Sequence, residues 1–399
     1  MADFESLLTR WQTAGVLDAE AAERIRAFES KHARPLGLRW QGLVALILGA
    51  MLLACGVVLF VSAHWDQIGP AGRYAIVSGM VAVFHLGGAF ARKSYHALST
   101  ALHAVGTLST GAAIALVGQI FNIQEHWPAA VLLWALAAFA GWALLRDEAQ
   151  QTLALLLLPA WILAELDFYA DGHIDQNIYL ARFLVVWAVL YLTVFLGSRR
   201  AIARGILFAA CSIALLVGTI MQIEGFRAWS ATQSVMPFHV RAWGWVAIAA
   251  LPLAVSLLRL SRSLVPVAAA VVFGIVLPWC VTISTHHIDA GAHHETYRTG
   301  EPNLAAHALV AAFAIFITWW GVRQASKALV NLGMVGFAIA VAWFYFSNLF
   351  DKMSRSLGLI GLGVLFLAGG WALEKMRRGL LARMLRDSGS GLGAEEELP

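Results

Sequence analysis

Charge is what this 399-residue chain has least of: 13% of its residues are Asp, Glu, Lys or Arg, against about 25% in an ordinary soluble protein. With 60% hydrophobic residues and a mean hydropathy of +0.71, such a chain is a polytopic membrane protein. Cysteine is scarce too. Cys55, Cys211 and Cys280 each sit in or at the end of an apolar run, so they read as small buried hydrophobes and not as a disulfide or metal framework. Enzyme signatures are missing as well: there is no GxSxG elbow, HExxH pair or P-loop. No two acids lie deep in apolar runs, as an intramembrane aspartyl protease requires. The expectation is a non-enzyme with no cofactor. The opening MADFESLLTRWQ has no basic n-region, so the first span is expected to act as its own insertion signal.

What is present is apolar runs of spanning or near-spanning length, about twelve of them, near 41–62, 74–91, 98–123, 128–146, 151–166, 180–197, 201–222, 242–259, 263–283, 303–321, 326–347 and 355–373. The fold class expected is all-α, a polytopic bundle of about twelve transmembrane helices over 40–373. The fifth run is short and contains Pro159, so a re-entrant or broken helix competes there; Pro252 and Pro278 can interrupt two more. Sixteen tryptophans fit helices leaving a bilayer at its two faces.

Residues 1–39 read as a small helical hairpin. Phe4, Leu7, Leu8 and Trp11 repeat at helical spacing, Gly15 interrupts, and Asp18 caps a second helix striped by Ala22, Ile25 and Phe28. Too small to bury much core, the hairpin is expected to lean on the membrane domain, on a cytoplasmic protein partner or on a second copy. Residues 374–399 read as an interfacial helix, EKMRRGLLARMLRD, and a flexible acidic tail.

Basic residues orient the bundle. If all twelve runs cross, only Arg73, Arg182, Arg227, Arg241, Arg298, Lys352 and Arg355 of the 28 Lys and Arg fall on the outer side, which is the positive-inside pattern with both termini cytoplasmic. The basic balance thus belongs to topology and membrane lipids, not to nucleic acid.

Within the third run, Thr100, His103, Thr107, Thr110, Gly111 and Gly118 share a small and hydroxylated face, while Leu102, Val105, Ala112 and Leu116 lie opposite and are expected to face lipid. His85 and His103 flank the tight inner turn ARKSYHAL at nearly equal distances, so in an antiparallel pair they should sit at similar depth near the cytoplasmic surface, where they could face each other. With Thr100, Thr107 and Thr110 they form a candidate ligand-binding or proton-responsive set; the bland alternative is neutral imidazoles bonded to a hydroxyl or carbonyl. A second candidate is an outer mouth of His64, Asp66, Glu125 and His126, suited to a divalent cation or cationic ligand if the first and third spans are neighbours. Glu165 and Asp167 read as loop acids. His286, His287, His293 and His294, with Asp289 and Glu295, are the densest metal-capable cluster, in an outer loop without a rigid scaffold.

The segments GVLDAEAAERI, GLVALILGAML, FVSAHWDQIGPAGR and ALVGQIFNIQEHWPAAVLLWALAAFAGWALL together resemble the bacterial membrane proteins of domain-of-unknown-function family 2157, and FSNLFDKMSRSLGLIGLGVLFLAGGWALEKMRR resembles the closing segment of longer members. Many members have Asn where this chain has His64. The resemblance implies a multi-pass protein of the bacterial inner membrane and no assigned activity. Two function classes follow. One is a non-enzymatic membrane protein that binds or senses a ligand or partner; the other is a transporter or lipid-handling protein using the polar face of the third span.

Overall fold

The computed structural model describes residues 8, 10–32, 48–49, 52, 56, 59, 63–64, 67–93, 95–122, 125–171, 173, 176–194, 201–224, 235–259, 263–290 and 293–348, with isolated positions between 360 and 379. Nine helices of 18–25 residues among these are long and apolar enough to cross a membrane, and a shorter apolar one covers Leu264–Cys280. Ten of the twelve expected runs therefore coincide with apolar helices; the runs at 41–62 and 355–373, like the tail beyond, lie outside the described residues apart from isolated positions. The chain divides into two compact units, 1–122 and 123–399.

In the first unit Asp18 caps α1 (Ala19–His32), its Oδ1 accepting from the Ala21 N–H at 2.6 Å, the role its position before the apolar stripe predicts. Gly15 in the preceding turn takes φ 70°, a left-handed conformation that costs glycine nothing. Of the stripe, Ala22 is buried whereas Phe28 is exposed. α2 (Pro70–Ala91) starts on a proline, whose missing N–H is one of the helix-start orphans. It pairs with α3 (His96–Ile120) across a four-residue turn. Val77, Met80, Phe84, Val105 and Leu116 form their shared core, with Leu102 and Ala112 packed on it. This corrects the expected orientation of α3. Its purely apolar face does not look to lipid; it packs on α2, because large aliphatic side chains fill the interhelical space while glycines beside them set the approach.

The second unit opens with α4 (Pro128–Leu145) and α5 (Glu148–Ala170), joined where Arg146 adopts φ 52° and Asp147 caps α5 by accepting from the Ala149 N–H. α5 runs unbroken through Pro159, so the doubtful fifth run is one continuous helix of 23 residues. There follow α6 (Gln176–Val194), α7 (Ala201–Glu224), α8 (Phe238–Trp245), a π segment (Val246–Ala250), α9 (Leu251–Arg259), α10 (Leu264–Val276) and a 3-10 turn (Leu277–Cys280). The chain then leaves the helical pattern. β1 (Val281–Ala290) and β2 (His293–Pro302) pair antiparallel from Val281 opposite Pro302 to Ala290 opposite His293. The span expected to reach 283 thus ends at 280, and the expected outer loop is a β-hairpin, favoured by β-branched and aromatic residues in VTIST and TYRT. α11 (Leu304–Arg323) and α12 (Lys327–Asn348) close the unit. Gly321 and Gly333 lie where these helices touch: a Cβ on either would run into the partner's backbone.

α6 is the hub of this unit, buried along most of its length. Tyr179, Phe183, Trp187 and Tyr191 follow one another every four residues along it, with successive ring contacts from Phe183 to Trp187 to Tyr191. Its polar side chains answer the three prolines. A proline donates no hydrogen bond, so the carbonyl one turn before it is left over. Tyr191 Oη donates to the Leu155 carbonyl, four residues before Pro159, at 2.6 Å. Arg182 Nε donates to the Gly274 carbonyl, four before Pro278, at 2.8 Å. In the π segment the Leu251 N–H reaches back five residues to Val246. The same pattern would leave Ala247, five before Pro252, without a donor, and Trp187 Nε1 supplies one at 2.9 Å. One helix therefore satisfies the carbonyls that three prolines release, which is how interrupted helices persist in hydrocarbon.

Candidate functional site

In the first unit the two histidines meet. The Nδ1 atoms of His85 on α2 and His103 on α3 are 3.1 Å apart, with ring centroids at 5.4 Å. Two ring nitrogens at that separation share one proton: one Nδ1 donates and the other accepts. The cradle is reciprocal. A Cβ on Gly106 would lie 2.8 Å from the His85 ring, and one on Gly88 would lie 2.9 Å from the His103 ring. Each imidazole thus rests on a bare backbone of the opposite helix. Both glycine carbonyls are in turn held by α3 hydroxyls. Ser99 Oγ donates to Gly88 O at 2.7 Å and Thr110 Oγ1 to Gly106 O at 3.0 Å. The Arg92 N–H, the usual partner of Gly88 O, is turned to Ala89, so Ser99 supplies the donor a helix end lacks.

Of the other members of this set, Thr107 is buried and Thr100 half-buried. Chemically the pair can hold a proton or release it: a second proton on the accepting Nδ1 would set donor against donor and undo the contact.

The outer-mouth set is described only in part. Asp66 lies outside the described residues; His64 belongs to the first unit, and Glu125 and His126 to the second. Glu125 is exposed. His126 is taken by a residue assigned to a loop: its Nε2 lies 2.9 Å from Glu165 Oε2, while Trp161 Nε1 donates to Glu165 Oε1 at 2.9 Å. Glu165 is in the last turns of α5, as is Asp167, which accepts from Gln176 Nε2 at 2.8 Å. A carboxylate answered by an indole and an imidazole is a satisfied junction between helix ends.

For His286, His287, His293 and His294 the finding is the backbone: all four lie on the hairpin strands, with Asp289 opposite His294 and Ile288 opposite Glu295. The strand side chains lie outside the described residues. Among those that are described, no group of three or more His, Cys, Asp or Glu is placed to hold a metal ion.

Residues 9–151 match the model of a family described as a predicted membrane protein, DUF2157. The match takes in α1 to α4, and with them the histidine pair and its cradle. No curated protein and no solved structure matches the chain. The DUF2157 match stops at the start of α5, so the α6 hub and the hairpin stand beyond it.

Sequence reasoning missed several residues of consequence. Arg182, read as an outer-side charge, lies within α6 and stacks over Tyr179 and Trp245 at 5.7 and 5.2 Å. The four-residue spacing of Tyr179, Phe183, Trp187 and Tyr191 was a visible signal. His307 and Gln222, single polar residues near span ends, carried none; both are buried, at 7% and 0% exposure.

Proposed function

We propose that the chain is a non-enzymatic integral protein of the bacterial inner membrane whose family-matched unit senses protons through the His85–His103 pair. The observation that carries this reading is the 3.1 Å Nδ1 to Nδ1 contact inside two helices of spanning length. An ionisable group within a spanning helix is by default a candidate for function. Histidine is also the side chain that changes charge between about pH 5 and 8. Packing favours sensing over a transport path along the third span: His103 rests against Gly88, and Thr110 is bonded within its own helix.

In this reading both termini are cytoplasmic, which the distribution of basic residues supports if all twelve runs cross. Residues 1–39 then pass the state of α2 and α3 to a cytoplasmic protein or a second copy. The exposure of Phe28 beside buried Ala22 supports such a contact. The surrounding partners are lipids, and nucleic acid has no part.

The test is nitrogen NMR of the full chain, labelled with 15N-histidine, in bilayers. Above about pH 7.5 a coupling between the two Nδ1 nuclei is expected, and it should vanish reversibly on acidification to about pH 5, with faster amide exchange at Ser99 and Gly88. If the coupling is unchanged across that range, the sensing role falls.

A further inference from the structure

The sequence concentrates its metal-capable residues in the hairpin, and the strand pairing decides which of them belong together. As a loop this stretch would have no scaffold; as β1 and β2 it has one. At its base the Asn303 N–H donates to the Cys280 carbonyl at 3.3 Å, and Asn303 caps α11 by accepting from the Ala306 N–H. The strands are thereby tied to helix ends. At the far end Ala290 stands opposite His293, so the connection is two residues long. Its sequence, Gly291-Ala292, has glycine first, as tight hairpin turns favour. A short connection fixes the register, and the register fixes the faces, because directly opposite residues share a face and successive residues alternate.

On one face the register puts His287 and Asp289, two apart on β1, with His294 directly opposite Asp289. On the other face it puts His286 from β1 with His293 and Glu295 from β2. The four histidines therefore do not form one cluster; they divide two and two. The two sets differ in span. In the first, the Cβ atoms of Asp289 and His294 are about 5 Å apart across the ladder, and His287 and His294 are diagonal neighbours at about 7–8 Å. His287 and Asp289 are about 7 Å apart along the strand. These spacings are near the roughly 5–6 Å between Cβ atoms one helical turn apart, at which paired helical histidines take zinc. In the second set His286 and His293 are four rungs apart, roughly 13 Å along the ladder. That is beyond two imidazoles bonding one ion at about 2 Å each.

We propose that His287, Asp289 and His294 form a site for a divalent transition ion of the zinc class, two imidazoles and a carboxylate supplying three ligands and water the fourth. Imidazole with carboxylate suits zinc and its neighbours, whereas calcium and magnesium take oxygen ligands. Held by residues of both strands, the ion braces the end of the hairpin remote from α10 and α11. The inference stands apart from the histidine pair, which belongs to the other unit.

The test is a calorimetric titration of zinc into the full chain in nanodiscs, prepared without an affinity tag and stripped with a chelator. One ion per chain is expected. Loss of an outer partner of a metal ligand costs about 10–100-fold in affinity, so loss of a ligand itself should cost about a hundredfold or more. That is the result expected of His287→Ala, His294→Ala and Asp289→Asn, each taken alone. The double variant His286→Ala with His293→Ala is expected to bind zinc as the native chain does. Hydrogen exchange gives a second reading: zinc should slow the backbone amides of 285–296 in the native chain and leave them unchanged in Asp289→Asn. An absence of saturable zinc binding overturns the proposal. So does an equal loss of affinity in the His286 and His293 double variant, which would mean diffuse binding by a histidine-rich stretch.

Discussion

In the first unit the polar groups between helices answer one another, side chain to side chain, over glycines: His85 to His103, each on the other helix's bare backbone. In the second unit the polar groups of α6 go to backbone carbonyls that prolines have released. The difference lies in what each contact can do. A carbonyl has one state, so a side chain bonded to it serves as a fixed strut. Two imidazoles have several states, and their contact is lost once both Nδ1 atoms carry a proton. The same solvent, hydrocarbon, makes both contacts matter, since neither partner finds water when the other leaves. The expectation is that the second unit sets the stability of the protein and the first its response to pH.

The strongest way to break that division is to remove all three α6 donors at once, Arg182→Met, Trp187→Phe and Tyr191→Phe. Side-chain hydrogen bonds within membranes are worth about 0.6 kcal/mol on average and up to about 1.7, so a loss of roughly 2–5 kcal/mol is expected. Unfolding of the protein by SDS in mixed micelles measures it. The Nδ1 to Nδ1 coupling of the first unit should survive in whatever fraction remains folded. A coupling lost together with folded α6 would show that the units do not divide the work.

Much of this arrangement could be read from the residues, and the parts that could not have a common cause. The approach of His85 and His103 follows from one tight turn between two apolar runs, a local constraint in which equal sequence distance means equal depth. The Asp18 cap was legible for the same reason. Which face of α3 packs on α2 was not. Both faces of that helix are apolar enough for lipid, and in a bilayer hydrophobicity no longer distinguishes inside from outside. Likewise the hairpin at Val281 was hidden by its own histidines and glycines, which suggested a loop although VTIST favours a strand. Pro159 and Tyr191 are 32 positions apart, and nothing in either neighbourhood names the other. Long-range answers to local defects are what a single sequence withholds.

A smaller effect sharpens the comparison from the other side. Gly88→Ala and Gly106→Ala each place a methyl within 3 Å of an imidazole, and overpacking of this kind costs about 1–3 kcal/mol. Gly79→Ala, in the same helix as Gly88 but with nothing within 4 Å of an added Cβ, should be neutral or slightly stabilising, as alanine is the better helix former. The informative readout is the nitrogen coupling: it is expected to disappear in both cradle variants and to persist in Gly79→Ala. If all three variants keep it, the rings do not depend on the glycines for their meeting.

The smallest effect is the most diagnostic, because it pairs a donor with the defect it repairs. Tyr191→Phe keeps the ring that packs beside Trp187 and removes only the hydroxyl that answers Leu155 O, for an expected cost of about 1 kcal/mol. Pro159→Ala restores a backbone N–H at the place where α5 would otherwise bond Leu155 O itself. With the proline gone, the hydroxyl has a competitor for its acceptor, and deleting it should cost a few tenths of a kcal/mol at most, so that the cycle shows a coupling of nearly the full single-mutant effect. If Tyr191→Phe costs the same with and without Pro159, the hydroxyl acts through something other than the orphaned carbonyl, and α6 loses its claim to be the helix that holds the proline-interrupted ones in place.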